Sequence, residues 1–354
     1  MDKYDKAVKI SGQNRGVKMD GFKPSRILLS ILILLLLILN ACGGESQNIK
    51  ELKFSFFAPP SHNIYPVIEE WSRKVSKEAG IRITIFAGGS LGKPQDQYEN
   101  TAKGICDFAY VIPSYTAGKF PLTSAIELPF IIDDCEKASM VLWDTYEKFL
   151  REEYKDVKML WTFVPAPGHI HTAQKPIRTL EDLNGLKIRT PGREMARSLQ
   201  KLGAVPVTMP ITQVYTALER GTIDGVTMPW EIMDAYKLCE QTKFHTEVGL
   251  YTLAQVVVMN RNAYEFLSPE AKEVLDRSIG KEMSRKAGIA FKEAELSGRA
   301  SGLAQGGEVI PLPPSERERW EEAVRSVKSE WIQEMADLGL PGKEVLEYIE
   351  SALK

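Results

Sequence analysis

The chain has 354 residues, 44% of them apolar and 26% charged, with a net charge of −2. That length allows two lobes with separate cores, and the near-neutral balance excludes the basic footprint of a nucleic-acid binder. Its four cysteines, Cys42, Cys106, Cys135 and Cys239, exclude a disulfide-framework protein.

The first element is a signal-like segment. Lys18, Lys23 and Arg26 flank an apolar run over 27–39 that only Ser30 interrupts, and the run ends at Leu39-Asn40-Ala41-Cys42. A membrane span needs about 20 apolar residues, so residues 1–41 read as a signal peptide. Leu39 to Cys42 resembles the lipobox of bacterial lipoproteins, which implies a lipid anchor on Cys42. Residues 42–50, including the polar stretch GGESQN, then read as a tether. The three other cysteines read as small buried apolar residues.

Beyond residue 50 short apolar strands alternate with amphipathic helices. Strands are predicted over 52–57, 81–86 and 108–112, with helices over 64–79 and 96–103 between them. Ile68, Trp71 and Val75 form one helical stripe. A helix over 137–154 and a strand over 159–164 lead to Pro165-Ala166-Pro167-Gly168, which reads as a hinge. A second series follows, with strands over 169–173, 186–189, 205–207 and 223–226 and helices over 179–184, 192–202 and 212–219. A strand over 255–259 crosses back. Ser268-Pro269-Glu270 is a helix start, and apolar positions four apart extend that helix to about 304. Two charged amphipathic helices close the chain. The pattern predicts an α/β fold with largely parallel sheets.

No nucleophile elbow, P-loop or dinucleotide-binding glycine pattern is present. His169 and His171 share one strand face, but no acidic or cysteine cluster accompanies them, so no metal is expected. Asp224, beside Gly225, reads as a turn aspartate rather than the partner of Glu231 in a catalytic pair. Arg189 closes the strand Leu186-Lys187-Ile188-Arg189, and open α/β sheets bind ligands at such ends. Its rigid fork suits a carboxylate, and a structural ion pair fits the residues equally well.

The stretch from 176 to 225 holds LKIRTP, LGAVPVTMP and VYTALERGTIDG in that order. Together with FAPPSHNIYP, GGSLGKP, KGICDFAY, ELPFI and LSPE, these segments resemble the solute-binding proteins of tripartite ATP-independent periplasmic (TRAP) transporters, of the dicarboxylate-binding type. The resemblance covers residues 50 to 300. It implies a periplasmic-binding-protein-like α/β fold, with two lobes joined by a hinge and a long spanning helix. The expected lobes are 51–166 with parts of 254–354, and 167–253 with parts of the C-terminal helices; the spanning helix is expected over 268–304. It also implies no enzymatic activity and no cofactor, capture of a small organic acid by hinge closure, and delivery to the membrane subunits of a TRAP transporter from the outer face of a membrane.

In most members the arginine of the LKIR segment pairs with the ligand carboxylate, which assigns Arg189 that role. Departures from the family pattern define the rest of the expected site. Phe57 stands where asparagine is common, Ile112 where glutamate is, His169 at a second arginine position, and Met228 at an asparagine position. Thr227 and Met228 also replace the glutamate and tryptophan of the metal-binding branch, so no bound metal is expected. Tyr115, Ile211 and Trp230 complete the set. One arginine among apolar walls describes a site for a monocarboxylate with an apolar or aromatic body. The alternatives are a C4-dicarboxylate, service to an ATP-driven importer or a sensor, and, more remotely, an exported enzyme.

Overall fold

The computed structural model describes residues 50–354. The expected signal peptide, the anchor residue Cys42 and the tether up to residue 49 lie outside the described residues. The chain opens with two β-α-β units: β1 (Glu51–Ser55), α1 (Tyr65–Ala79), β2 (Arg82–Phe86), α2 (Gln97–Ala102) and β3 (Phe108–Val111). Helix α1 buries Ile68, Trp71 and Val75, the stripe that its periodicity dictates. The next helix, α3 (Cys135–Thr145), is capped by Asp134, which accepts from the Lys137 amide at 2.9 Å. It winds on through a π-helical turn at Tyr146–Leu150 into β4 (Val157–Phe163).

The second series is β5 (His169–Thr172), β6 (Lys187–Thr190), α4 (Arg193–Lys201), β7 (Val205–Thr208), α5 (Val214–Glu219), β8 (Gly225–Met228), α6 (Trp230–Ala235) and β9 (Phe244–Glu247). The chain finishes with β10 (Gln255–Asn260), α7 (Arg261–Glu265), α8 (Pro269–Arg277), α9 (Lys281–Ala304), β11 (Glu308–Pro311), α10 (Pro314–Asp337) and α11 (Gly342–Leu353). Among the described residues no helix is long and apolar enough to cross a membrane.

The strands form two sheets, ordered β2-β1-β3-β10-β4 and β11-β9-β5-β8-β6-β7. Both are mixed rather than largely parallel. β10 runs antiparallel to β3 and β4, and β5 runs antiparallel to β8 and β9. The reason is the connection. A parallel neighbour needs a long crossover, usually a helix, whereas β5 and β10 arrive straight from the other sheet through short extended segments. Those two segments run side by side. Gly168 donates its amide to Tyr251 O at 2.7 Å, Leu250 donates to Gly168 O at 2.8 Å, and Thr252 Oγ1 donates to Pro165 O at 2.8 Å.

The single helix expected over 268–304 is two helices. Gly280 takes a left-handed φ of 93° and donates its amide to Leu160 O at 2.8 Å, so the ladder stops there. Helix α9 then reaches across both halves of the molecule. Its first part packs on α3 and β4, where Ser284 Oγ accepts from the Thr162 amide at 3.2 Å. Its later part lies on α6. Glycines make this approach possible. A Cβ at Gly288 would stand 2.7 Å from Glu136 Cα, and one at Gly298 would stand 2.5 Å from Trp230 O.

Alanine favours a helix interior over glycine by about 1 kcal/mol. At Gly298 the added methyl meets backbone atoms, and overpacking of this kind costs about 1–3 kcal/mol. Gly298→Ala is therefore expected to lower the unfolding free energy by up to roughly 2 kcal/mol. Chemical denaturation of the purified variant checks this, and an unchanged or raised midpoint contradicts it.

Candidate functional site

A small cavity of about 30 Å³ is lined from both sheets. Phe57, Ile112 and Tyr115 reach it from the loops after β1 and β3; Arg189 reaches it from β6, and Ile211 and Met228 from the ends of β7 and β8. These are carboxyl ends of strands, where backbone direction turns side chains and loops toward a common crevice. The paired crossing segments close one side through Pro165, Ala166, Tyr251, Thr252 and Leu253.

Arg189 sits on β6, hydrogen-bonded between β7 and β8, and is 2% exposed. Its Nε donates to Met209 O at 3.0 Å, and its Nη2 donates to the Tyr115 hydroxyl at 3.2 Å. Among the described residues no carboxylate lies within ion-pair distance of it. Of five N–H donors, two therefore meet neutral oxygens and the fork stays open. A buried charge without an opposite charge is costly, which makes Arg189 a candidate to hold an anion. Tyr115 is fixed beside it. Its oxygen accepts from Arg189 and from the Ile211 amide at 3.3 Å, which leaves its O–H free to donate.

Two residues expected at the site lie elsewhere. His169 is outside the cavity. Its Nδ1 accepts from the Gly249 amide at 3.1 Å, and its Nε2 stands 3.4 Å from Glu295 Oε1 on α9. Trp230 is core. Pro229 precedes it and α6 begins there, so the indole turns under α9. It packs against His171 and His245 at ring distances of 4.9 and 4.6 Å, and donates Nε1–H to Glu247 at 3.2 Å. His171 is also core, with Nδ1 2.8 Å from His245 Nδ1. Burial holds both histidines below their ordinary range, His245 at about 4. Asp224 serves its turn by accepting from the Lys187 amide at 2.7 Å. Among the described residues no group of three or more His, Cys, Asp or Glu is placed to hold a metal ion.

The cavity also takes residues that the sequence reading passed over: His62, Tyr110, Tyr236, Tyr251 and Gln255. Gln255 carried a signal, a polar residue directly before the apolar run VVVM of its strand. His62 lay inside a recognised segment without being singled out. Tyr236 and Tyr251 sit in stretches without periodicity and left no mark.

Two acidic groups behind the walls, Glu127 and Glu231, are pushed toward the neutral form. Glu127 is buried, which pushes its pKa up to about 8, although Ser114 Oγ and the Ala254 amide both donate to it. It thereby ties the loop carrying Tyr115 to the segment that leads into Gln255. Burial, and then the negative Glu295 beside it, push Glu231 well above the ordinary carboxylate range. Burial works against ionisation of Glu295 too, but the contacts with His169 and Glu231 outweigh it and hold its pKa below the ordinary value. Glu295 Oε2 accepts from the amides of Trp230 and Glu231 at 2.7 and 3.2 Å, capping α6 from α9.

Two α/β layers, a cavity lined from both and a buried arginine without a carboxylate partner among the described residues fit a solute-binding protein. The model of the DctP family, described as bacterial extracellular solute-binding protein, family 7, matches residues 54–334. The chain belongs to that family and is a TRAP-type periplasmic solute-binding protein. It is similar to the TRAP solute-binding protein of Rhodoferax ferrireducens T118 in complex with copurified benzoate. Identity is 33%, TM-score 0.83, and coverage 86% of this chain and 97% of that one. A marine metagenome protein specific for aromatic acid ligands, in complex with 3-hydroxybenzoate, is 35% identical at TM-score 0.84, covering 86% and 98%. A Bordetella bronchiseptica protein with bound (R)- and (S)-mandelate is 28% identical at TM-score 0.80, covering 86% and 98%.

Glu127 gives a pH signature. Its ordinary value is 4.5 and its folded value about 8. Between these the folded state keeps a proton that the unfolded chain has lost, so this group's contribution to stability falls as pH rises through that window. Glu127→Gln removes the contribution. The melting temperature of the variant minus that of the parent is expected to increase between about pH 5 and about pH 8. A difference independent of pH contradicts the assignment.

Proposed function

We propose that the chain captures a monocarboxylate with an aromatic body by closure of its two lobes, and delivers it to the membrane subunits of a TRAP transporter. The observation that carries this is Arg189, buried with neutral partners at the end of a cavity walled by Phe57, Tyr110, Tyr115 and Ile112. A phenyl ring that buries roughly 150 Å² gains about 4 kcal/mol at ~25 cal/mol per Å². A charge-assisted bond at Arg189 adds about 1.5–3 kcal/mol. A sugar acid would leave hydroxyls unpaired on these walls, at about 1–3 kcal/mol each. The likeness to proteins that hold benzoate, 3-hydroxybenzoate and mandelate supports the same ligand class.

Isothermal titration of the mature protein tests the ligand class. Aromatic monocarboxylates are expected to bind, and succinate and sialic acid to bind weakly or not at all. Tight binding of succinate with no binding of any aromatic acid would overturn the reading. Arg189→Ala is expected to lose more than about 100-fold in affinity, the effect of leaving a carboxylate buried without its partner, while its circular dichroism stays that of the parent. Unchanged affinity removes Arg189 from the site.

The lipid anchor on Cys42 belongs to the same proposal. It rests on the Leu39-Asn40-Ala41-Cys42 sequence after the apolar run. Labelling with a radioactive fatty acid is expected to mark the protein, and Cys42→Ser to abolish the label and release the protein from membranes. Labelling that survives the substitution would exclude Cys42.

A further inference from the structure

We propose that the cavity has a second recognition end, built on His62 and Gln255, which reads a neutral oxygen carried by the ligand away from its carboxylate. The preferred ligand is then an aromatic monocarboxylate with a hydroxyl or oxo group. This rests on the reading that Arg189 takes the carboxylate.

The polar groups of the cavity fall into two sets. Arg189 and Tyr115 bond to each other, and their remaining partners are Met209 and Ile211. The other set is held together by Tyr110. Its hydroxyl donates to Gln255 Oε1 at 2.6 Å, and its ring lies 5.8 Å from the His62 ring. Phe57 separates the sets, stacked on Tyr110 at 4.8 Å and edge-on to Tyr115 at 6.3 Å.

In the second set each group is oriented so that a donor remains. Gln255 is 2% exposed, and its oxygen is taken by Tyr110. Its amide NH₂ has no acceptor among the described residues. His62 is also 2% exposed. Its Nδ1 accepts from the Ile64 amide at 3.4 Å, which puts the ring proton on Nε2. That N–H likewise has no acceptor among the described residues. The ring is fixed edge-on by Phe56 at 5.9 Å, Phe291 at 6.1 Å and Tyr236 at 6.3 Å. The Tyr236 hydroxyl is fully buried and has no hydrogen-bond partner among the described residues. The Tyr236 hydroxyl, the Gln255 NH₂ and the His62 Nε2–H, none with a protein acceptor among the described residues, all belong to residues that line one cavity, where one ligand oxygen can meet them.

That oxygen is neutral. Tyr110, His62, Gln255 and Tyr236 carry no positive charge themselves, and burial keeps the His62 ring uncharged, with its pKa lowered to about 3; the Arg189 charge is felt at Tyr236 but is taken by the first carboxylate. A second carboxylate would lose its hydration there and gain only neutral donors. The two ends together admit one negative charge and one neutral oxygen.

The test is a titration series with benzoate, 3-hydroxybenzoate, 4-hydroxybenzoate and terephthalate on the mature protein. One hydroxybenzoate is expected to bind roughly tenfold tighter than benzoate, and terephthalate more weakly than benzoate. His62→Asn keeps an oxygen in the Nδ1 position for the Ile64 amide and removes the Nε2 donor. In this variant the ratio of hydroxybenzoate to benzoate affinity is expected to fall to within about twofold. Tyr236→Phe deletes a hydroxyl that no protein group uses, and it should lower the same ratio.

The proposal is overturned if benzoate binds as tightly as both hydroxybenzoates, if terephthalate binds best, or if both variants leave the ratio unchanged. Those results leave the Arg189 reading standing whenever benzoate binds and Arg189→Ala does not. Failure of every acid to bind the parent protein removes both.

Discussion

Arg189 brings a full charge into a place where its protein partners are a carbonyl and a phenol. A guanidinium in that position is costly unless an anion completes it. The rest of the structure supplies what such a residue requires. Strand β6, with β7 and β8 on either side, holds its backbone, and Thr227 Oγ1 donates to Arg189 O at 3.2 Å from β8. Tyr115 comes from the other sheet and takes one N–H of the fork, so the two layers meet at the charged group itself. The paired crossing segments behind the cavity keep those layers in register.

Helix α9 ties the layers together without filling the space between them. It crosses from α3 to α6 on small residues, with Gly288 against one half and Gly298 and Gly302 against the other. Midway, Glu295 reaches the first two amides of α6 and the His169 ring. Negative charge at a helix N-terminus is favourable because those amides have no partner inside the helix. His169 and Trp230 therefore belong to the frame. They hold α6 and β5 against the long helix, and the cavity begins one layer further in.

Much of this was legible in the sequence, because local rules govern most of it. The stripe of α1, the Ser268 cap of α8 and the strand ending at Arg189 all follow from periodicity and turn chemistry, and the ordered LKIRTP, LGAVPVTMP and VYTALERGTIDG segments located the charged end of the cavity. What stayed hidden depends on distant pairing. β9 and β11 are four residues each, FHTE and EVIP, and become strands through register with each other. The break at Gly280 is set by its bond to Leu160. His169 and Trp230 were misplaced because motif alignment fixes positions along the chain and not the side of a strand or helix to which a long-range partner pulls a side chain. Tyr236 and Tyr251 reach the cavity from unpatterned connections, where sequence carries no directional signal.

The charge state of the surroundings decides what the cavity accepts. The acids nearest its walls, Glu127 and Glu231, are pushed toward the protonated form by burial, and His62 toward the neutral form. Each of these groups responds to the same low-dielectric interior in the direction that removes charge. Arg189 cannot respond that way, because a guanidinium does not lose its proton in proteins. One positive charge therefore remains uncancelled among these neutral groups, and in the proposed function a ligand carrying one negative charge restores neutrality there. A dianion would leave one charge without a counterpart, and a neutral solute would leave the guanidinium bare. The proposed selection for a monoanion thus rests on the whole buried environment, with Arg189 as the group that the environment cannot discharge.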